Sequence, residues 1–531
     1  MTELSQQTQK LLQQHKAWYD SLQKKEGVAT IHVDEVASQV AAFYEKIRGV
    51  IDWREEHLLR RGAIERILKR KLFLRVGQKI EAQPFVLELI RGGHFPNDKI
   101  PESKIGTVQK VLDKYIFIIE NSHPEGGKSR VRLQDWMSTI AACEVEEILD
   151  PSREERIMIE YMSDLMKEKI KLIDGLSDEE KNIQIYIAVH KALFKLDAPI
   201  VVYHLLKRRF PQWNLLLEES NKSVLDEVTK NVYSIWDDIS KQLRHPLSEK
   251  FYRVCEKYDT PYLILSDILS NDPTRAYENL SNPEILETKI REFYQLRLRQ
   301  QKSRVSRAAA YSTISIFITK MLLALLIEWP IDTKILHQFS WQAMGLNVAI
   351  PPLLMLILVL SITPPRKSNL EKVIMETMKV VYETEKKDVY PIHSAYIKNA
   401  IMEGTIFILY SATFFLTFCL IWWGLGKLDF SWPSRIIFVL FFSLIFFAGT
   451  KIKERAKELS IEEEKGGFLG FLIDWISLPF IRLGKWLSGQ WNKYNTALVF
   501  VIALIDLPFQ IFVELLEQWR YFIKEKKEEI H

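Results

Sequence analysis

The sequence predicts an all-α protein in two parts: an N-terminal helical cytosolic domain, then a multi-pass transmembrane helical domain of about four spans with amphipathic or partly inserted C-terminal helices. Three observations predict it. Apolar residues are segregated: the first three hundred residues of the 531 are charge-rich, and the remainder holds long, nearly uncharged runs. Four of those runs approach the roughly 20 apolar residues that a helix needs to cross a hydrocarbon core about 30 Å thick. Strand-period alternation is nearly absent, apart from weak candidates near "VATIHV" and "SRVRL".

The totals exclude several classes. A net charge of +4 is too small for a polyanion binder. Cys143, Cys255 and Cys419 lie far apart, so neither a disulfide framework nor a zinc site is indicated. The N-terminus is polar and has no apolar signal core, so the internal apolar segments are expected to direct targeting.

Helix signals recur through residues 1–300. In "GTVQKVLDKYIFIIE", Val108, Val111, Leu112, Tyr115, Ile116 and Ile119 form one stripe. Asp150 followed by Pro151 reads as an N-cap with proline at the first helical position. Ser177 and Glu180 form a capping box, and Asn282 with Pro283 starts another helix. "RGGHFPND" and "NSHPEGGKS" are stops. No fixed period supports a solenoid. From Pro283 no Gly or Pro intervenes until Pro330, so one helix of about 70 Å can join the domain to the bilayer.

The four spans are read at Ala308–Trp329, Trp341–Ile362, Gly404–Leu425 and the shorter Arg435–Thr450. Arg297, Arg299, Lys302, Arg304 and Arg307 precede the first; Arg366, Lys367 and Lys372 follow the second; Lys451, Lys453, Arg455 and Lys457 follow the fourth. This bias puts both termini and the middle loop in the cytoplasm. Trp329, Trp341, Trp422, Trp423 and Trp432 fall at the opposite interface, as an aromatic belt would. The divisions are therefore 1–300, the cytosolic domain, with a weaker boundary near 150; 301–365, a first transmembrane hairpin; 366–402, a cytosolic amphipathic connector; 403–450, a second hairpin; and 451–531, a C-terminal cytoplasmic-side amphipathic or re-entrant segment. In the connector, Leu370, Val373, Ile374, Val381 and Tyr382 recur at helical spacing, suited to packing on the domain or lying along the inner leaflet.

Two late apolar segments break the rules for a span. Asp474 interrupts one, and Asp506 with Pro508 the other, where Glu514 and Gln510 add polarity. One Asp costs about 2.5–3.5 kcal/mol at a helix centre, and each Leu or Ile returns only about 0.3–0.6. Partial insertion is the expectation, with an interfacial helix after Pro508; six spans is the alternative.

No catalytic, cofactor or metal motif stands out. "EGGKS" at 125–129 lacks the first glycine of a phosphate-binding loop, and His190 and His204 lack metal-ligand spacing. Two features remain as candidates. Lys320 is the one charge deep in a span, a functional suspect by position, and Asp506 or Asp474 is its expected partner. "LLRRGAIERILKRKLFLR" carries Arg60, Arg61, Arg66, Lys69, Arg70 and Lys71, and reads either as a solvated face or as a contact for anionic headgroups.

The expected role is non-enzymatic: a multi-pass protein of the inner or plasma membrane acting as a scaffold or docking platform through its cytosolic domain. Its expected partners are the bilayer, a cytosolic protein and further copies of itself; nucleic acid is not among them, because the basic stretch lacks interleaved aromatics. The competing role is a channel or transporter with a polar path near Lys320, Asp474, Asp506 and Glu514.

Overall fold

The computed structural model describes residues 3–22, 29–33, 56–74, 80–123, 130–151, 153–172, 176–337, 339–362, 365–382, 389–392, 400–461 and 468–493, with Leu515, Trp519 and Phe522. The described residues are almost entirely helical, and four of the helices are long and apolar enough to cross a membrane.

Among the described residues, twelve α-helices build the N-terminal domain: α1 (Gln6–Leu22), α2 (Glu56–Leu74), α3 (Ala82–Arg91), α4 (Ser103–Asn121), α5 (Arg130–Leu149), α6 (Arg153–Lys169), α7 (Asp178–Leu193), α8 (Ala198–Arg209), α9 (Lys222–Leu243), α10 (Ser248–Lys257), α11 (Thr260–Asn271) and α12 (Ala276–Ser281). The stripe from Val108 to Ile119 on α4 is buried throughout and packs on α5. The capping box of α7 is present: Ser177 Oγ accepts the Glu180 N–H at 3.2 Å, and Glu180 Oε2 accepts the Ser177 N–H at 3.3 Å.

Local expectations are corrected in three places. α6 is described from Arg153 and Pro151 lies outside it, while the Asp150 carboxylate is 2.8 Å from Arg60 Nη1. Arg130 to Leu133 of "SRVRL" form the first turn of α5, where Leu133 is buried in the core, and Ser129 lies outside the described residues. "VATIHV" contributes one bridge, Thr30 to Pro101. A parallel pair links β1 (Ile170–Leu172) to β2 (Tyr390–Ile392), two runs too short to show a pattern.

The long helix α13 (Pro283–Ile335) spans 53 residues, about 80 Å. Asn282 Oδ1 accepts the N–H groups of Glu284 and Ile285, and Pro283 occupies the first position, where its missing N–H costs nothing. Leu286, Ile290, Phe293 and Tyr294 are buried in the domain, and the helix runs unbroken through the basic stretch 299–307. Near its other end it widens into π turns at Ala324–Glu328 and Ile331–Ile335, on either side of Pro330. Proline cannot donate to the preceding turn and crowds its carbonyl, and a wider turn relieves both.

The remaining spans are α14 (Trp341–Leu360), α16 (Ala400–Lys427) and α17 (Trp432–Ala456). Between α14 and α16 lies α15 (Lys367–Tyr382); after α17 comes α18 (Phe468–Lys493). The fourth span is longer than expected, at 25 residues, because Ser431 caps it upstream and the basic residues after Thr450 continue the helix. Trp329, Trp341, Trp422, Trp423 and Trp432 are all exposed.

One hydrophobic core extends from Leu4 through Tyr294, on both sides of Asp150, and takes in Val373, Ile374, Val380 and Val381 of α15 with Leu459 and Ile461. The connector helix therefore packs on the domain. Asn369 knots the junction. Its Nδ2 donates to Tyr294 Oη at 2.8 Å and to the Leu459 carbonyl at 2.7 Å, and its Oδ1 accepts the Ile461 N–H at 2.9 Å. α18 lies against α16 and α17, with Phe480 buried among Phe418, Phe442 and Phe446.

Candidate functional site

Lys320 is fully buried, and its Nζ donates to Glu328 Oε1 on the same helix. Eight residues of regular α-helix turn through about 800°, which leaves two side chains about 80° apart around the axis. The π turn at Ala324–Glu328 holds more residues per turn, and so it swings Glu328 back toward the face of Lys320. Two other spans complete the cluster. Asn347 Nδ2 of α14 donates to Glu328 Oε2, and Ser434 Oγ of α17 donates to the same oxygen at 3.0 Å. Lys320 Nζ also lies 5.6 Å from the centre of the Phe441 ring.

A carboxylate with one cationic and two neutral donors is charge-balanced and hydrogen-bonded, the condition under which ionic groups are tolerated in hydrocarbon. The cluster also joins three spans at one point. Beside it a cleft of about 10 Å³, room for one water, is bordered by Glu328, Asp332, Asn347, Asp429 and Ser434. Asn347 Oδ1 and Asp332 Oδ1 are buried acceptors with no hydrogen-bond partner among the described residues.

The structure thus gives Lys320 a carboxylate that sequence reasoning passed over. Glu328 sits one residue before Trp329 and reads as the flank of the span, and a search for counter-charges within about two turns of Lys320 finds it. Asn347 and Ser434 gave no signal, since polar residues of their kind are common in spans. Asp506 and Glu514 lie outside the described residues; Asp474 is on α18, and nothing is described of its side chain.

Most of the basic stretch lies on α2, and its cations meet carboxylates of α2 itself and of the segments packed beside it. Arg60 reaches Asp150 and Glu146, Arg61 reaches Asp197 at 2.5 Å, Lys69 bridges Glu65 and Asp135, and Arg70 and Lys71 both meet Glu88. Arg66 is half-buried on the same helix. The stripe packs α2 onto α5 and α3.

His190 Nε2 and His204 Nδ1 are 2.8 Å apart in the domain core. Burial pushes His204 down to about 4, and burial together with its neighbour holds His190 well below its ordinary value. Among the described residues, no group of three His, Cys, Asp or Glu is placed to hold a metal ion. The segment 125–129 lies outside the described residues.

Comparison with known protein families, curated proteins and solved structures finds no match to this chain.

Proposed function

We propose that this membrane protein is a scaffold: a cytosolic helical docking platform, held at fixed geometry on the inner face of a four-span bundle in the inner or plasma membrane. The observation that carries this reading is the knot at Asn369, where α13, α15 and the segment 459–461 meet in the domain core. Three chain segments between domain and bilayer are thereby bound into one body. A buried amide with three hydrogen bonds resists separation, because opening the junction leaves each group unpaired. The flanking positive charges support cytoplasmic placement of the domain and both termini. Cytosolic protein partners and further copies of the chain are the expected ligands of the platform.

The channel or transporter reading draws on one observation, a carboxylate beside a small cleft within a π-distorted span. Reconstitution separates the two. The scaffold reading expects purified full-length protein to conduct no ions or protons above empty vesicles, and cross-linking in native membranes to return a defined cytosolic partner. A flux abolished by Glu328→Gln would replace the scaffold with the transporter.

A further inference from the structure

We propose that the groove between α16 and α17 binds one anionic phospholipid of the surrounding bilayer, with an acyl chain along the groove and the phosphate between Lys427 and Arg435. The groove encloses about 800 Å³ and is walled by Phe414, Phe415, Phe418, Trp422, Val439 and Leu440. From Phe415 to Lys427 it runs about 18 Å along α16, close to the ~15 Å depth of a single leaflet. Its walls are apolar until the end nearest the 428–431 turn, where two cations stand.

Charge complementarity selects the occupant. Arg435 Nε–H donates to the Phe430 carbonyl at 2.8 Å, which fixes the guanidinium over Trp422 at 5.5 Å. Lys427 Nζ lies 5.9 Å from the Trp423 ring. Neither cation has a carboxylate partner among the described residues, unlike Lys320, whose charge is met inside the fold. Gly426 permits the arrangement: a Cβ there would stand 3.3 Å from the Arg435 guanidinium. A guanidinium offers a planar fork of donors to a phosphate, and the lysine adds a point charge beside it. Two cations at headgroup level above an apolar channel match a phosphate joined to a hydrocarbon chain. A zwitterionic lipid carries the same phosphate with a quaternary ammonium beside it, and so meets the two cations with no net charge.

Native mass spectrometry of the full-length protein, exchanged into micelles holding phosphatidylglycerol or phosphatidylcholine, tests the site. The expected result is one retained phosphatidylglycerol, with retention falling roughly thirtyfold in the Lys427→Gln, Arg435→Gln double variant. Equal retention of phosphatidylcholine, or undiminished retention by the double variant, overturns the proposal. A second readout needs no variant. Cys419 lines the groove and is exposed, whereas Cys143 and Cys255 are buried. Alkylation of Cys419 by N-ethylmaleimide should slow in phosphatidylglycerol and not in phosphatidylcholine. The same rate in both lipids, as a groove filled by another segment of the chain would give, also overturns it.

Discussion

Two fully buried lysine–glutamate pairs stand among the described residues, one in the helical domain and one among the spans, and they solve the same problem differently. Lys114 Nζ lies 2.7 and 2.8 Å from the two oxygens of Glu144 and donates to the Trp213 carbonyl at 2.8 Å, while Tyr115 Oη and Trp213 Nε1 donate to Glu144 Oε2. That pair joins α4 to α5 and to the turn at Trp213, so it was assembled by tertiary folding. Lys320 and Glu328 instead share one helix, and the neighbouring spans add an amide, a hydroxyl and the Phe441 ring. In hydrocarbon a charge benefits from a partner on its own helix, because each helix must be tolerable to lipid before it meets the others. In a water-soluble core the partner can come from anywhere in the chain.

The largest effect is expected in the domain. Glu144→Ala leaves Lys114 buried without its carboxylate and should destabilise the domain by about 3–5 kcal/mol in a denaturant titration of the full chain. Replacing both members with Met and Leu should restore most of that loss, and failure to restore it would mean that the network supplies more than charge balance.

Among the spans, Glu328→Ala should cost about 2.5–3.5 kcal/mol, the scale for a lone charge at a helix centre. Lys320→Met should cost less, since Glu328 keeps Asn347 and Ser434 as donors. Resistance of the detergent-solubilised bundle to unfolding measures both, and the reverse order would break the proposed contrast.

A pH titration sharpens the side of the comparison that lies in the helical domain. His204 is held at about 4 in the folded domain and rises to an ordinary histidine value of about 6.5 on unfolding. Between those values the unfolded chain binds more protons, so this contribution to stability is lost as pH falls from about 6.5 to 4. It amounts to at most on the order of 3 kcal/mol. Asp259, raised to about 8 by burial, slopes the other way over its own range. The difference between wild type and His204→Gln from pH 7 to 4.5 therefore reports the His190–His204 pair apart from Asp259, and parallel curves would refute the assignment.

The smallest effect is expected at Asn347→Ala, about 0.6 kcal/mol, the mean for an interhelical hydrogen bond between spans. A cost several times larger would show that Glu328 depends on α14 more than on its own lysine.

Much of this architecture was legible because the signals are local. Asn282 and Pro283 announced the long helix, the unbroken stretch to Pro330 announced its continuity, and the apolar runs announced the spans. Contacts between distant residues were not legible. The cations of α2 looked unanswered because Glu88, Asp135, Glu146, Asp150 and Asp197 lie far along the chain. Glu328 lies near Lys320 in sequence and was still missed, since a regular helix would turn it away; the π turn that turns it back leaves no mark in composition. The pairing of β1 with β2 links three residues to three others more than two hundred positions on, too little material for any pattern.

The helix from Pro283 to Ile335 works like a crankshaft. It is gripped at one end by the domain core and at the other by Glu328, Asn347 and Ser434. A twist imposed at the domain end would be carried along the unbroken α turns as rotation of that shaft until it reaches the π turns. Those wide turns are the one place along its length where such twist has somewhere to go.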